Sequence, residues 1–368
     1  MIRRPAIPVA ALLAALALAI PAADAEPFLA VRTGLKCAAC HVNGTGAGMR
    51  TAFGTNYSQT ILPRKIQITN GRRTVFDPGF ADDVKVGGDL RLQNRSVLQP
   101  GEDANQFEFT EGNIYAEIVM VPDFLAFYVD ESVAPGGASA REAFVLLQHT
   151  QRQFFLKAGR MLLPFGLRLW DDDAFIRRST GFNFAAQDLG VELAWRPGRA
   201  SAAIAVTNGT NGGPDSNREK QVALVLSHMY ERFRFGGSLM TNQAPLSRRL
   251  AGGAFAGARL GPLTLLGEFD VISDDYDGDT RTNHGDARLL YVEANILAAK
   301  GVNVKFAYDW LDPYTDVDED EREMFRIGVE PFLTQFLQVR AFYRHRKAPP
   351  QLDAENTDWL TTELHVFF

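Results

Sequence analysis

The only two cysteines of the 368-residue chain fall within five consecutive positions, Cys37-Ala38-Ala39-Cys40-His41. Thiols three residues apart share one side of a helical turn, so both reach the two vinyl groups of one porphyrin and form thioethers. The adjoining imidazole then meets the iron from one face. This spacing predicts one covalent c-type haem, held by Cys37 and Cys40, with His41 as axial ligand to the metal. A redox or disulfide CxxC pair is the competing chemistry for an exported chain, but no βαβ setting surrounds the motif. A zinc site would need a second ligand pair, and none is nearby. For the sixth iron position the sequence offers Met49, the one methionine of residues 26–80, and His365, on the charged face of the final segment. An open or water-bound position is the third alternative. His228 and His345 share the parity of apolar neighbours, His149 falls at a turn and His284 in an acidic loop. No separate catalytic residue is nominated.

Haem attachment takes place outside the cytoplasm, and the N-terminus reads accordingly. Arg3 and Arg4 precede an apolar run, Val9 to Ile20, and Ala23-Asp24-Ala25 forms a small-residue cleavage site ahead of Glu26. That is the pattern of a signal peptide, and the run is shorter than the roughly 20 residues a membrane helix needs. The net charge of −6 argues against nucleic acid as a partner, and a hydrophobic content of 46% argues against disorder. By length the chain is either two domains or one large barrel. Three regions are expected: a leader over 1–25, a small haem-bearing segment over 26–80, and a barrel over 81–368. Within the second, Asn43-Gly44-Thr45-Gly46-Ala47-Gly48 reads as a flexible connection.

From Asp82 onward, segments of about 10 residues alternate apolar and polar positions, as transmembrane strands do. Val84, Val86, Gly88, Leu90 and Leu92 oppose Lys85, Asp89, Arg91 and Gln93. Leu337, Val339, Ala341 and Tyr343 oppose Gln338, Arg340, Phe342 and Arg344. Leu360, Thr362, Leu364, Val366 and Phe368 oppose Thr361, Glu363, His365 and Phe367. Tight turns at 121–123, 196–199, 260–262 and 299–301 alternate with long connections at 98–105, 133–141, 164–187, 208–218, 243–251, 273–286, 312–322 and 347–356. The fold class expected is all-β: an antiparallel transmembrane barrel of about 16 strands, with short turns on the periplasmic rim and long loops outside. With 26 Phe in the chain, the surplus is assigned to aromatic girdles at the two interfaces. Lys305, Arg326, Arg340 and Arg344 share lumen parity with Glu268, Asp270, Glu330 and Glu363. Asp171-Asp172-Asp173, the 274–279 run and the 316–321 run are placed on external loops, where acidic side chains raise the local concentration of cations. The longest loop, 164–187, carries Arg168, Arg177 and Arg178 and can fold inward to narrow the channel.

Two resemblances follow. Gly159-Arg160-Met161-Leu162-Leu163-Pro164-Phe165-Gly166, Asp188-Leu189-Gly190-Val191-Glu192 and Ala205-Val206-Thr207-Asn208-Gly209 look like strand and loop motifs of phosphate-selective-type porins, which implies their 16-stranded channel fold. Ala30-Val31-Arg32-Thr33-Gly34 before the haem motif, and Phe53-Gly54 with Tyr57 after it, make the chain resemble the fused monohaem cytochrome–porin family known from iron-oxidising bacteria. The chain departs from that family over Val42 to Gly48, which is glycine-rich where those members carry an apolar-proline stretch. The resemblance implies a bacterial outer-membrane electron conduit. It would pass electrons from an extracellular reductant, Fe(II) being one candidate, to a periplasmic cytochrome or other carrier, which with Fe(II) as donor makes it iron oxidase-like. The alternative, from another class, is a diffusion porin for small anions with residues 26–80 as a structural plug.

Overall fold

The computed structural model describes residues 26–99, 102–149, 153–244, 247–276 and 284–368. The expected leader, residues 1–25, and the 277–279 part of the acidic run lie outside the described residues. Alternation fixes the architecture. In the last strand, β19 (Thr357–Phe367), Thr361, Glu363 and His365 are buried while Leu360 and Leu364 are exposed. An apolar row facing outward from a closed sheet is the face of a membrane-spanning barrel. After three short strands, β1 (Ile68–Thr69), β2 (Arg72–Arg73) and β3 (Gly79–Ala81), sixteen antiparallel strands, β4 (Val84–Gln99) through β19, pair in sequence order, and β19 closes onto β4 with Leu364 opposite Leu92. Closure satisfies every strand's backbone within the sheet and leaves no edge.

One rim carries the tight turns. β13 (Ser247–Leu260) and β14 (Leu263–Tyr276) are joined through Gly261 at φ 63°, and β15 (His284–Ala299) and β16 (Val302–Asp312) through Gly301 at φ 65°. Glycine adopts this left-handed conformation without a Cβ clash. Phe154 and Trp195 stack across neighbouring strands near the same rim, with centroids 5.9 Å apart, as an interfacial girdle requires.

Three expected loops are corrected. Most of 98–105 and 243–251, and all the described residues of 273–286, are strand: β4 runs to Gln99, β5 (Glu102–Val121) resumes at Glu102, and β12 (Phe233–Ala244), β13, β14 and β15 extend likewise. Here the hairpins are polar on both faces, so alternation vanishes although pairing continues. Asn94 donates to Asn105 Oδ1 at 3.0 Å and Gln93 to Glu108 Oε1 at 2.8 Å across the ladder.

The interior is largely filled, and part of the phenylalanine surplus expected in the girdles lies there instead. Phe28, Phe144, Phe155, Phe165, Phe175 and Phe182 are buried inside the barrel in one cluster with Val42, Met49, Ala203 and Ala223. Two pieces of chain fill it. From the tight-turn rim comes the N-terminal segment, with α1 (Pro27–Thr33), α2 (Cys37–Cys40) and α3 (Ala52–Thr60). From the other rim the 163–186 loop folds inward, as expected, with a short helix α4 (Phe175–Arg178). The loop is tied to the wall by Leu167 N to Glu268, 2.6 Å, by Phe175 N to Asp309, 3.1 Å, and by Asp171 and Asp173 to Arg344, each 2.8 Å. Trp170 lies between the guanidinium groups of Arg91 and Arg340, 4.6 and 4.1 Å from its centroid. The first acidic triplet therefore anchors this loop and does not ring an external mouth. The 316–321 run does remain on an exposed long loop.

The two faces of one strand yield a sharp prediction. In β9 (Gln187–Trp195) the middle residue Val191 is 44% exposed and its neighbour Glu192 fully buried. Val191→Arg is expected to destabilise the inserted barrel by about 2–4 kcal/mol, the cost of arginine at the bilayer midplane. Heat-modifiable mobility on a denaturing gel would show less folded barrel, and unchanged folding would mean that β9 does not face lipid.

Candidate functional site

The N-terminal segment docks through polar contacts that sequence parity alone does not reveal. Glu26 meets Lys305 at 2.5 Å and Arg340 at 3.7 Å, and Arg32 donates to Asn303 at 2.8 Å. The Lys36 ammonium donates to the carbonyls of Arg196 and Ala200 at 3.0 and 2.5 Å. Burial, helped by the Arg196 charge, lowers the Lys36 pKa. Lys305, Arg326, Arg340, Arg344, Glu268, Asp270, Glu330 and Glu363 all face inward, as their parity predicted.

Between α2 and α3 the chain makes a finger that rises into the barrel. An isolated bridge pairs His41 with Arg50 at its base. At the tip, Asn43 is fully buried, donating to both carboxylate oxygens of Glu142 (2.8 and 3.0 Å) and accepting from Lys157 (3.0 Å), which also pairs with Glu192 at 2.8 Å. Gly46 and Gly48 take φ of 100° and 67°, and a side chain at Gly48 would collide with the Tyr128 hydroxyl. The glycine-rich stretch read as flexible is therefore a packed finger, and its glycines serve turns and close approach. Its signal in the sequence was the pairing of glycines with one amide, which local patterning cannot distinguish from a linker.

Cys37 to Cys40 form the single turn α2, closed by His41 N donating to Cys37 O at 2.9 Å. Both thiols are free and half-buried. Burial pushes the Cys40 thiol up, with Cys37 adding to the shift and Arg50 opposing it. His41 is 4% exposed, and its Nδ1 lies 3.3 Å from the Gly48 carbonyl oxygen. A proton donated there from Nδ1 leaves the lone pair on Nε2, the arrangement metal-binding imidazoles use. Helix α3 packs on this turn, with Gly54 against the Cys40 carbonyl, and Thr51 caps it by accepting from Gly54 N at 3.1 Å.

Cys37, Cys40 and His41 line one cavity of about 180 Å³ inside the barrel. It is walled by the finger, by Pro164, Phe165 and Trp170 of the inward loop, and by Ser201, Ala203, Val225, Ser227 and Met229 of β10 (Ala200–Thr207) and β11 (Gln221–Tyr230). Elsewhere the lumen face bears charges; here it is small and mostly neutral, so space remains. Arg50, Arg168, Arg196 and Arg234 also line it. The donor set suits a c-type haem: two thiols on one turn, an oriented imidazole, a shallow wall for a flat ring, and guanidinium groups for its carboxylates.

Neither proposed sixth ligand lines that cavity. In the His41–Arg50 bridge, Val42 N bonds Met49 O at 3.0 Å, which sets both side chains on the face away from His41. Met49, 2% exposed, packs toward Gly87 of the barrel wall. His365 faces the lumen as predicted, but its Nδ1 lies 2.9 Å from Gln338 Oε1 and its Nε2 2.9 Å from Asp89 Oδ1. Both of its nitrogens are thus committed to the wall. His228 stacks on Phe235 on the outer surface, and His345 pairs with Asp358 at 2.6 Å.

No protein-family model matches the sequence, and no curated protein matches it. Solved structures do match in fold. OmpT of Vibrio cholerae in its trimer form aligns with a TM-score of 0.64 at 11% identity, over 77% of this chain and 99% of its own. The anion-selective porin from Comamonas acidovorans aligns at 0.60 and 11%, over 77% and 99%. The outer membrane channel DcaP of Acinetobacter baumannii aligns at 0.59 and 10%, over 80% and 99%. The barrel thus has the fold of outer-membrane porins.

Proposed function

We propose that this protein is a bacterial outer-membrane electron carrier in which residues 26–80 bring one covalent haem into the lumen of a porin-type barrel. The observation that carries the reading is the Cys37–His41 turn facing an arginine-lined cavity inside the barrel. The porin neighbours bear on the barrel alone. Haem c, when bound, would supply a reversible one-electron couple. Cys37 and Cys40 would hold it, His41 Nε2 would face the iron, and the cavity arginines would balance its propionates. The finger and the inward loop wall the cavity, which runs from the tight-turn rim toward that loop and so shortens the distance across an apolar band about 25 Å tall. The electron donor is an extracellular reductant, Fe(II) being the candidate of choice, and the acceptor a periplasmic cytochrome or similar carrier.

The test is the absorbance spectrum of the full-length protein, purified after co-expression with haem-attachment machinery. The reduced form is expected to show a sharp α-band that survives denaturation and is abolished by the double substitution Cys37→Ala, Cys40→Ala. Rapid mixing of the oxidised protein with Fe(II) should then reduce it. Absence of haem from the wild-type protein would remove this reading.

A second reading, diffusion of small anions, is favoured by the porin fold and the cavity arginines. It requires a large steady single-channel conductance. The filled interior predicts a small one, and planar-bilayer recordings separate the two.

A further inference from the structure

An iron held by His41 on one face has room for a second protein ligand from the cavity, where the N-terminal segment offers no other histidine and no methionine. We infer that the barrel wall supplies it: Met229 of β11 is the sixth ligand of the iron. This rests on the haem reading above.

The argument is positional. Met229 faces the lumen, since Leu226 and Tyr230 beside it are about half exposed on the outer surface while Met229 is 7% exposed. Among the described residues lining the cavity it is the one methionine, and His41 the one histidine. It also lies close to the haem turn. Lys36, directly before Cys37, holds the Ala200 carbonyl at 2.5 Å; Ala200 pairs with His228, and Met229 N donates to Arg199 O at 3.0 Å. The backbone that grips the base of the turn is therefore the backbone that carries Met229.

The chemistry suits the position. A thioether on three rotatable bonds adapts to a flat ligand, and methionine opposite histidine raises the reduction potential of a haem. Beside Met229 on the wall are Ser227 with its partner Ser201, and across the strands Arg199 and Arg234, all of which line the same cavity. Cytochrome segment and barrel then form a single cofactor site, and the iron is closed only when the segment is docked.

The experiment uses the haem-loaded full-length protein, with covalent haem counted by pyridine haemochromogen and barrel folding checked by heat-modifiable mobility. The readouts are the weak far-red sulfur-to-iron charge-transfer band of the ferric form, its spin state, and the reduction potential. Wild type is expected to show the band. Met229→Leu should lose it and turn high-spin. Met229→His should be low-spin without the band, at a lower potential, and Met49→Leu should keep the band. A band that survives Met229→Leu, or a wild-type protein with covalent haem and no band, overturns the ligand assignment and leaves the electron-carrier reading standing. A protein without any covalent haem overturns both.

Discussion

Asn43→Ala is expected to loosen the N-terminal segment from the barrel and raise single-channel conductance toward that of an open porin. Asn43 is fully buried and bonds two charged groups on different strands, Glu142 and Lys157. Hydrogen bonds to charged groups contribute about 1.5–3 kcal/mol each, so removing both weakens docking by roughly 3–6 kcal/mol. At about 1.4 kcal/mol per tenfold, the undocked population rises at least about a hundredfold. Glu142 keeps its bond from Leu162 N, 2.8 Å, and Lys157 its pair with Glu192, so the barrel itself should fold and migrate normally. Thr45→Ala serves as the mild comparison, because the Thr45 hydroxyl touches the network only through Asn43 Oδ1, at 2.7 Å. Limited proteolysis gives an independent readout: faster cleavage between residues 26 and 80 in Asn43→Ala is the expected result. Conductance and proteolysis at wild-type levels would show that the finger is held by packing alone.

Gly54→Ala should damage the Cys37–His41 turn without replacing any of the residues proposed to hold haem. A methyl group at Gly54 would drive into the Cys40 carbonyl oxygen and carbon, and backbone cannot swing aside as a side chain can. Overpacking of this kind costs about 1–3 kcal/mol where neighbours can shift, and here the neighbour is the cysteine turn itself. The expected outcome is a severalfold drop in covalent haem per barrel, with the barrel fold unchanged. Thr51→Ala, which removes the cap of α3, should fall in the same direction by about 1 kcal/mol. Full haem incorporation in Gly54→Ala would show that α3 is free to move off the turn while haem is attached.

Some of this was legible because its signal is local. Period-two alternation is a property of single strands, so Val84 to Leu92, Leu337 to Arg344 and Leu360 to Phe368 announced their faces, and closure followed from turns of alternating length. The Cys37–His41 spacing likewise needs only five residues to state its chemistry. Other strands stayed faint for a physical reason. β10 and β11 wall the cavity and β13 meets α1, where other strands face charged partners, and so their inner faces too carry small or apolar residues such as Ala203, Ala223, Ala251 and Phe255. Above the membrane the hairpins are wet on both sides, and strand there reads as loop.

What the sequence by itself determined is the barrel, and it supplies the Cys37–His41 spacing on which the proposed function rests. What only the tertiary structure decided is where the motif points and what surrounds it. Asn43 meets Glu142, His365 meets Asp89, Met49 turns to the wall, and Met229 shares a cavity with residues nearly two hundred positions earlier. Barrel closure brings such residues together at no fixed separation along the chain, and only the packed interior tells which polar groups are left facing the cavity.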